Sequence, residues 1–201
     1  MSEPFSARLK ASTATIHDEV EHTTFIVDLM EGRLDSQAYA LLLKQYDVIY
    51  AVLESRSREF ADDPVFAPFF DAALFRAERI AADLTALDGT ELPVMPSATV
   101  YATHLAGLER AEQVIAHHYT RYLGDLSGGQ AIGALVARHY QVPREQLTMW
   151  DFSDIDAPKR VKDAYRAHLD EITDPAVREE FLAETKLGYE LAGELFTALE
   201  R

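Results

Sequence analysis

Apolar positions along this chain recur at steps of three and four, and alternation at steps of two is never sustained, so the pattern predicts helices and no sheet. Leu9, Ile16 and Val20 mark the apolar stripe of a first helix over about residues 6–24. GRLDSQAY then supplies a turn, with Asp35 or Ser36 as N-cap of a helix running to about residue 60. Asp62-Asp63-Pro64 opens a short helix, and another covers about residues 70–87. DGTELPVMPS (88–97) holds two of the eight prolines and reads as a loop. Helices follow over about 98–109 and 111–140, then a mixed stretch, VPREQLTMWDFSDI, of short helix and loop. The last two helices cover about 158–171 and 175–199, the second opened by Asp174-Pro175. The expected architecture is an all-α, multi-helix fold in a single domain over residues 1–201.

Composition narrows the function classes. A chain of 201 residues that is 48% hydrophobic has enough apolar material for one sizeable core. It contains no Cys, which removes disulfides, thiolate metal sites and a cysteine nucleophile, and fits a reducing cytoplasm. The formal net charge of −15 argues against a nucleic-acid or anionic-membrane partner. With no long apolar run and no charged-then-apolar leader, the expectation is a soluble protein, neither exported nor anchored in a membrane. One local exception is PKRVKDAYR, where Lys159, Arg160, Lys162 and Arg166 fall within eight residues.

On the first helix Lys10, Thr13, His17, Glu21 and Thr24 share one polar stripe. Glu21, one turn beyond His17, can accept a hydrogen bond from the imidazole, fix its tautomer and make the other nitrogen a better metal ligand. Taken alone, a helical histidine is more often a surface or hydrogen-bonded residue than a ligand. Lys10 lies about 10 Å before His17 along the axis. Glu19-x-x-His22 has the spacing of a carboxylate-bridged di-iron helix, but that site needs the motif twice and the chain has it once.

RYLGDLSGGQ (121–130) is the least ordinary stretch. Each glycine inside a helix costs about 1 kcal/mol relative to alanine, yet three crowd here beside an aspartate. The spacing matches no phosphate-binding loop. Gly124-x-x-x-Gly128 and Gly129-x-x-x-Gly133 would let another helix approach closely, but a dry seam leaves the charge of Asp125 costly. A flat apolar ligand against bare backbone, with a wet polar pocket beyond it, accounts for both.

TIHDEVEH together with HHYTRYLGDLSGGQ resembles the soluble, bacterial-type haem oxygenases, the helical, biliverdin-producing kind, and the likeness runs from ARLKASTATIHDEVEHTTF to DPAVREEFLAETKLGYELAGELF. The resemblance implies haem held between the N-terminal helix and a kinked glycine-rich one. It makes His17 the axial ligand of the haem iron, the one metal expected, and Glu21 its partner. Gly124, Gly128 and Gly129 would form the distal face, and Asp125 would order water that delivers a proton to the bound dioxygen. Tyr119, Arg121 and Tyr50 match positions bordering that pocket. Lys10, Lys162 and Arg166 match propionate-binding positions, which implies attack at the α carbon.

The resemblance further implies that haem is both cofactor and substrate, converted with O2 to biliverdin, CO and Fe2+. The electrons would come from an external reductase of ferredoxin or NAD(P)H-flavoprotein type, since the chain carries no flavin or nicotinamide motif. Iron acquisition is the expected purpose, with bilin supply the other. One departure stands out. Ala192 sits where the family carries an asparagine of the distal water network, while Tyr189 supplies the expected aromatic. Three alternatives compete with this reading. A non-catalytic haem carrier or store would share the fold, a thiaminase-like hydrolase would need the absent cysteine, and a helical interaction protein would not bind haem.

Overall fold

The computed structural model describes residues 3–200, and among them there is no strand. Nine α-helices follow in order: α1 (Phe5–Glu21), α2 (Thr24–Met30), α3 (Ser36–Glu59), α4 (Ala77–Ala86), α5 (Pro96–Ala106), α6 (Ala111–His118), α7 (Gln130–Tyr140), α8 (Pro158–Glu171) and α9 (Pro175–Ala198). Helix starts follow local chemistry. Asp35 accepts from the Ala38 N–H at 2.8 Å and Asp174 from the Ala176 N–H at 2.8 Å, each satisfying an orphan donor of the first turn. The start of α4 is capped from a distance. Glu54 of α3 accepts from the backbone N–H groups of Arg76 at 2.5 Å and Ala77 at 2.7 Å.

Several elements depart from the periodicity. The first helix ends at Glu21, because the His22 imidazole and the Thr23 hydroxyl bond the carbonyls of Asp18 (2.7 Å) and Val20 (3.0 Å), and α2 begins at once. The helices expected from Asp62 and over 70–87 shrink to 3₁₀ turns at Ala67–Phe69 and Ala72–Leu74, followed by α4. There the Asp63 and Asp71 carboxylates bond the N–H groups of Val65 and Ala73, offering the backbone local turns in place of helix. The mixed stretch resolves into two 3₁₀ turns, Arg144–Gln146 and Thr148–Trp150.

The largest departure lies in the expected 111–140 helix. It is interrupted by two π turns, Tyr119–Leu123 and Asp125–Gly129, with Gly124 between them. Residues 119–129 are called the bent segment below. In the core, α3 packs on α4 and α5, while α9 packs on α1 and α6. Phe5 of α1 meets Phe181 of α9 edge-on, with ring centroids 5.6 Å apart. This packing brings α1, α9 and the bent segment around one cleft.

Candidate functional site

The cleft is bordered by His17, Val20 and Glu21 of α1, by Thr120, Arg121, Gly124, Asp125, Gly128 and Gly129 of the bent segment, and by Gly188, Tyr189, Ala192 and Phe196 of α9. Tyr46, Ile132 and Trp150 complete its wall. Its volume is ≈ 140 Å³, whereas small-molecule pockets run to roughly 300–1,000 Å³. Admission of a large flat ligand therefore requires its walls to part.

On α1 the His17 imidazole is half-exposed, and its Nδ1 lies 3.4 Å from Glu21 Oε2. Tyr189 meets the imidazole edge-on at 5.5 Å. Among the described residues His17 Nε2 has no hydrogen-bond partner, so the nitrogen opposite Glu21 is free to act as a ligand.

On the bent segment Asp125 is buried and tied to α3. Tyr50 of α3 donates its hydroxyl to Asp125 Oδ2 at 2.6 Å, and Arg121 Nε donates to Tyr50 Oη at 3.2 Å. The Arg121 guanidinium lies over the rings of Tyr46 (4.4 Å) and Tyr50 (5.0 Å). Burial raises the pKa of Asp125, and the neighbouring Arg121 charge and Tyr50 hydrogen bond only partly offset it. Burial likewise drives the Tyr50 hydroxyl well above its ordinary value, which keeps it a donor. Tyr50, Arg121 and Asp125 thus form one cluster, with Tyr50 a layer behind the cleft wall. Tyr46 was not singled out in the sequence, although it lies one helical turn before Tyr50.

The glycines divide into two pairs. A Cβ built on Gly124 or Gly128 meets nothing within 4 Å, so both present bare backbone to open space. Gly129 differs from both in its surroundings. A Cβ there would stand 2.5 Å from the Trp150 ring, and one on Gly133 would stand 2.9 Å from Trp150 Cβ. That pair seats the indole, which is the close-approach role, and Gly129 borders the cleft as well.

Lys10, Lys162 and Arg166 lie outside the cleft lining, whereas Arg121 is part of it. Lys162 Nζ donates to Ser127 Oγ at 3.3 Å, which puts its charge beside the bent segment. Arg166 is exposed and paired with Asp163 at 3.1 Å, and Lys10 is exposed on α1. Tyr119 lies outside the cleft lining and packs beside Tyr165, with ring centroids 6.3 Å apart. Burial raises its pKa and the Arg166 charge opposes that. Ala192 does line the cleft and presents a methyl group there.

A second polar cluster escaped the sequence reading. Glu184 Oε1 of α9 bonds both His117 Nε2 (2.8 Å) and His104 Nε2 (2.5 Å), and Tyr101 Oη lies 3.2 Å from His117 Nδ1. Burial pushes the pKa of His117 down, against the pull of Glu184. Burial raises that of Glu184, but its two histidine hydrogen bonds prevail and hold it below the ordinary value. These residues come from α5, α6 and α9, so no local spacing announces them.

A helix-borne imidazole, a glycine-faced bent helix and a buried carboxylate around one cleft define a helical ligand-binding enzyme. The model of the family described as Heme oxygenase matches residues 3–198. The chain belongs to the haem oxygenase family, and is thereby a haem-degrading enzyme. It is 32% identical to Heme oxygenase 1 of Gallus gallus over a 212-residue alignment that covers 100% of this chain and 71% of the relative. It is 30% identical to Heme oxygenase 1 of Homo sapiens, covering 100% of this chain and 73% of the relative. Among solved structures, the haem oxygenase of Leptospira interrogans superposes with a TM-score of 0.91 at 26% identity, covering 97% of this chain and 99% of that one. Heme oxygenase-2 of Synechocystis sp. PCC 6803, in complex with heme and NO, gives 0.90 at 28% identity, covering 98% and 86%.

Proposed function

We propose that the chain takes haem into this cleft as its substrate and, with dioxygen and electrons from a separate reductase, opens it to biliverdin, carbon monoxide and ferrous iron. The observation that carries this reading is that one cleft is shared by His17, the bare backbone of Gly124 and Gly128, and Asp125, which Tyr50 holds from behind the wall. The Synechocystis relative solved with heme supports haem as the ligand.

The residues present fit such a group. His17 would hold the iron through Nε2 while Glu21 steadies Nδ1. Gly124 and Gly128 leave a flat face without side chains, and Ile132, Ala192 and Phe196 add apolar wall. Haem supplies the iron at which dioxygen is activated. Asp125, fixed by Tyr50 and Arg121, holds a proton source at the cleft edge and acts through water. Ala192 offers no hydrogen bond, so the polar contacts of that water fall to Asp125, Arg121 and Thr120.

Lys10, Lys162 and Arg166 would meet the two propionates and set the rotation of the macrocycle toward the α isomer. Release of ferrous iron makes iron acquisition from haem the fitting purpose. To test the reading, the haem-loaded protein is given a reductant under air. Loss of the haem spectrum with appearance of the α pigment and carbon monoxide is expected. An unchanged spectrum with neither product overturns the assignment and leaves a haem carrier.

A further inference from the structure

Trp150, the chain's one tryptophan, is a buried and hydrogen-bonded side chain of the cleft wall. Its indole fills the notch left by Gly129 and Gly133. Its Nε1–H donates to Tyr39 Oη of α3 at 2.8 Å, in the buried interior. The turn that carries it is clamped on both sides. Before the indole, Asp83 of α4 accepts from the Thr148 N–H (2.8 Å), the Thr148 hydroxyl (2.7 Å) and the Met149 N–H (2.9 Å). After it, the buried Arg76 donates to the Asp151 carbonyl at 2.6 Å and lies 4.1 Å over the Phe152 ring.

We propose that Trp150 is a positioning residue for the haem-degrading reaction, a rigid stop that fixes the second π turn and thereby sets Asp125 against Tyr50. The layers are contiguous. The point where a Gly129 Cβ would sit is 2.5 Å from the indole and 3.7 Å from Asp125 Cβ. Ordinary contact begins near 3.4 Å, so a methyl group at 129 demands a shift of about 1 Å, a displacement that can cost on the order of 100-fold in rate when it reaches reacting groups. Because the indole is clamped by Tyr39, Asp83 and Arg76, the bent segment is the part that yields, and Asp125 travels with it.

The proposal rests on the haem-degrading reading, and its test separates the two. Turnover, haem affinity by absorbance titration and the pH profile of turnover are measured for the wild type, Gly129→Ala, Gly129→Ala with Trp150→Leu, and Tyr39→Phe. In Gly129→Ala, turnover is expected to fall about 10- to 100-fold with a displaced pH profile, while haem affinity stays within about threefold. Adding Trp150→Leu removes the clash but also the stop, so turnover should stay low at near-normal haem affinity. Tyr39→Phe keeps the shape, frees the indole N–H, and should red-shift the tryptophan emission of the haem-free protein while lowering turnover.

A wild type that leaves haem intact overturns the functional reading itself. A wild type that consumes haem, beside a Gly129→Ala variant that turns over equally well or loses affinity in step with turnover, overturns only the role of Trp150. Full activity restored by the Leu substitution does the same. Should Gly129→Ala not fold, Tyr39→Phe decides alone: shifted emission with unchanged turnover rejects the proposal.

Discussion

Tyr50 Oη and Asp125 Oδ2 stand 2.6 Å apart, a hydrogen bond that joins α3 to the bent segment across 75 residues of chain. It is the shortest polar link between the core and the cleft edge. Tyr50→Phe removes the donor and leaves the ring, so the fold and haem affinity should persist while biliverdin formation falls on the order of 10²-fold. Asp125→Ala removes the proton source and should lose pigment formation outright at near-normal haem affinity. Pigment yield measured against bound haem decides both, and a normal yield from Asp125→Ala sinks the relay.

His17→Ala should change the visible spectrum of the haem-loaded protein by removing the axial nitrogen. Glu21→Gln keeps a hydrogen-bonding group but removes the charge. Partners of metal-bound histidines are worth about 10- to 100-fold in affinity, but Glu21 is exposed and 3.4 Å away. A loss of under about tenfold is therefore expected. A haem titration of both variants is the measurement, and an unaltered His17→Ala spectrum excludes this ligand.

Gly128→Ala and Gly129→Ala should behave oppositely. A methyl group at 128 meets no protein atom within 4 Å, so it should leave thermal stability equal or raised by about 0.4–1 kcal/mol. The same methyl projects into the space proposed for haem and should weaken its binding. At 129 it strikes Trp150, and the melting temperature should drop. Calorimetry of the haem-free variants distinguishes a ligand-facing glycine from a packing one.

Burial lowers the His118 pKa from its ordinary 6.5 to about 3, so the folded protein holds this imidazole neutral. A neutral buried histidine contributes stability above pH 6.5 that is lost as pH falls from 6.5 toward about 3, where the unfolded chain takes the proton first. His117, lowered by burial, acts in the same sense. Among the described residues His118 Nε2 has no partner, Nδ1 lies 3.1 Å from Tyr165 Oη, and the ring stacks on Tyr165 at 5.7 Å. His118→Phe should therefore fold and show a shallower decline of melting temperature over that range. An unchanged slope would assign the acid sensitivity elsewhere.

Lys162 tests the propionate assignment. Its Nζ reaches Ser127 Oγ beside the bent segment. Exposed ion pairs contribute about 0.2–1 kcal/mol, so Lys162→Ala should weaken haem binding by no more than about fivefold. Haem with both propionates esterified should not feel the substitution, and an equal loss with the ester would rule out a charge contact.

Much of this site could be read from residue order, because its key residues sit in short, chemically odd runs. RYLGDLSGGQ announced a ligand-shaped helix, and Asp35 and Asp174 announced helix starts through capping chemistry that is local. The misses have physical causes. The π turns leave the apolar period nearly intact, so one long helix was the natural reading of 111–140. Gly129 looked like Gly128 until Trp150 arrived from about twenty residues downstream in a stretch with no clear period. The His104–Glu184–His117 cluster joins three helices, and only tertiary packing brings it together.

The two π turns also bear on which genetic changes this protein tolerates. Deleting one residue from 119–129 would let a π turn relax to α, and everything downstream would rotate by about 100°. Gly129 and Gly133 would leave the indole, and the cleft edge would turn out of register. Point substitutions can tune this wall one side chain at a time, but insertions and deletions cannot pass through it gradually. Variants differing in length should therefore collect in surface connections such as 88–95, with the bent segment held to a fixed residue count.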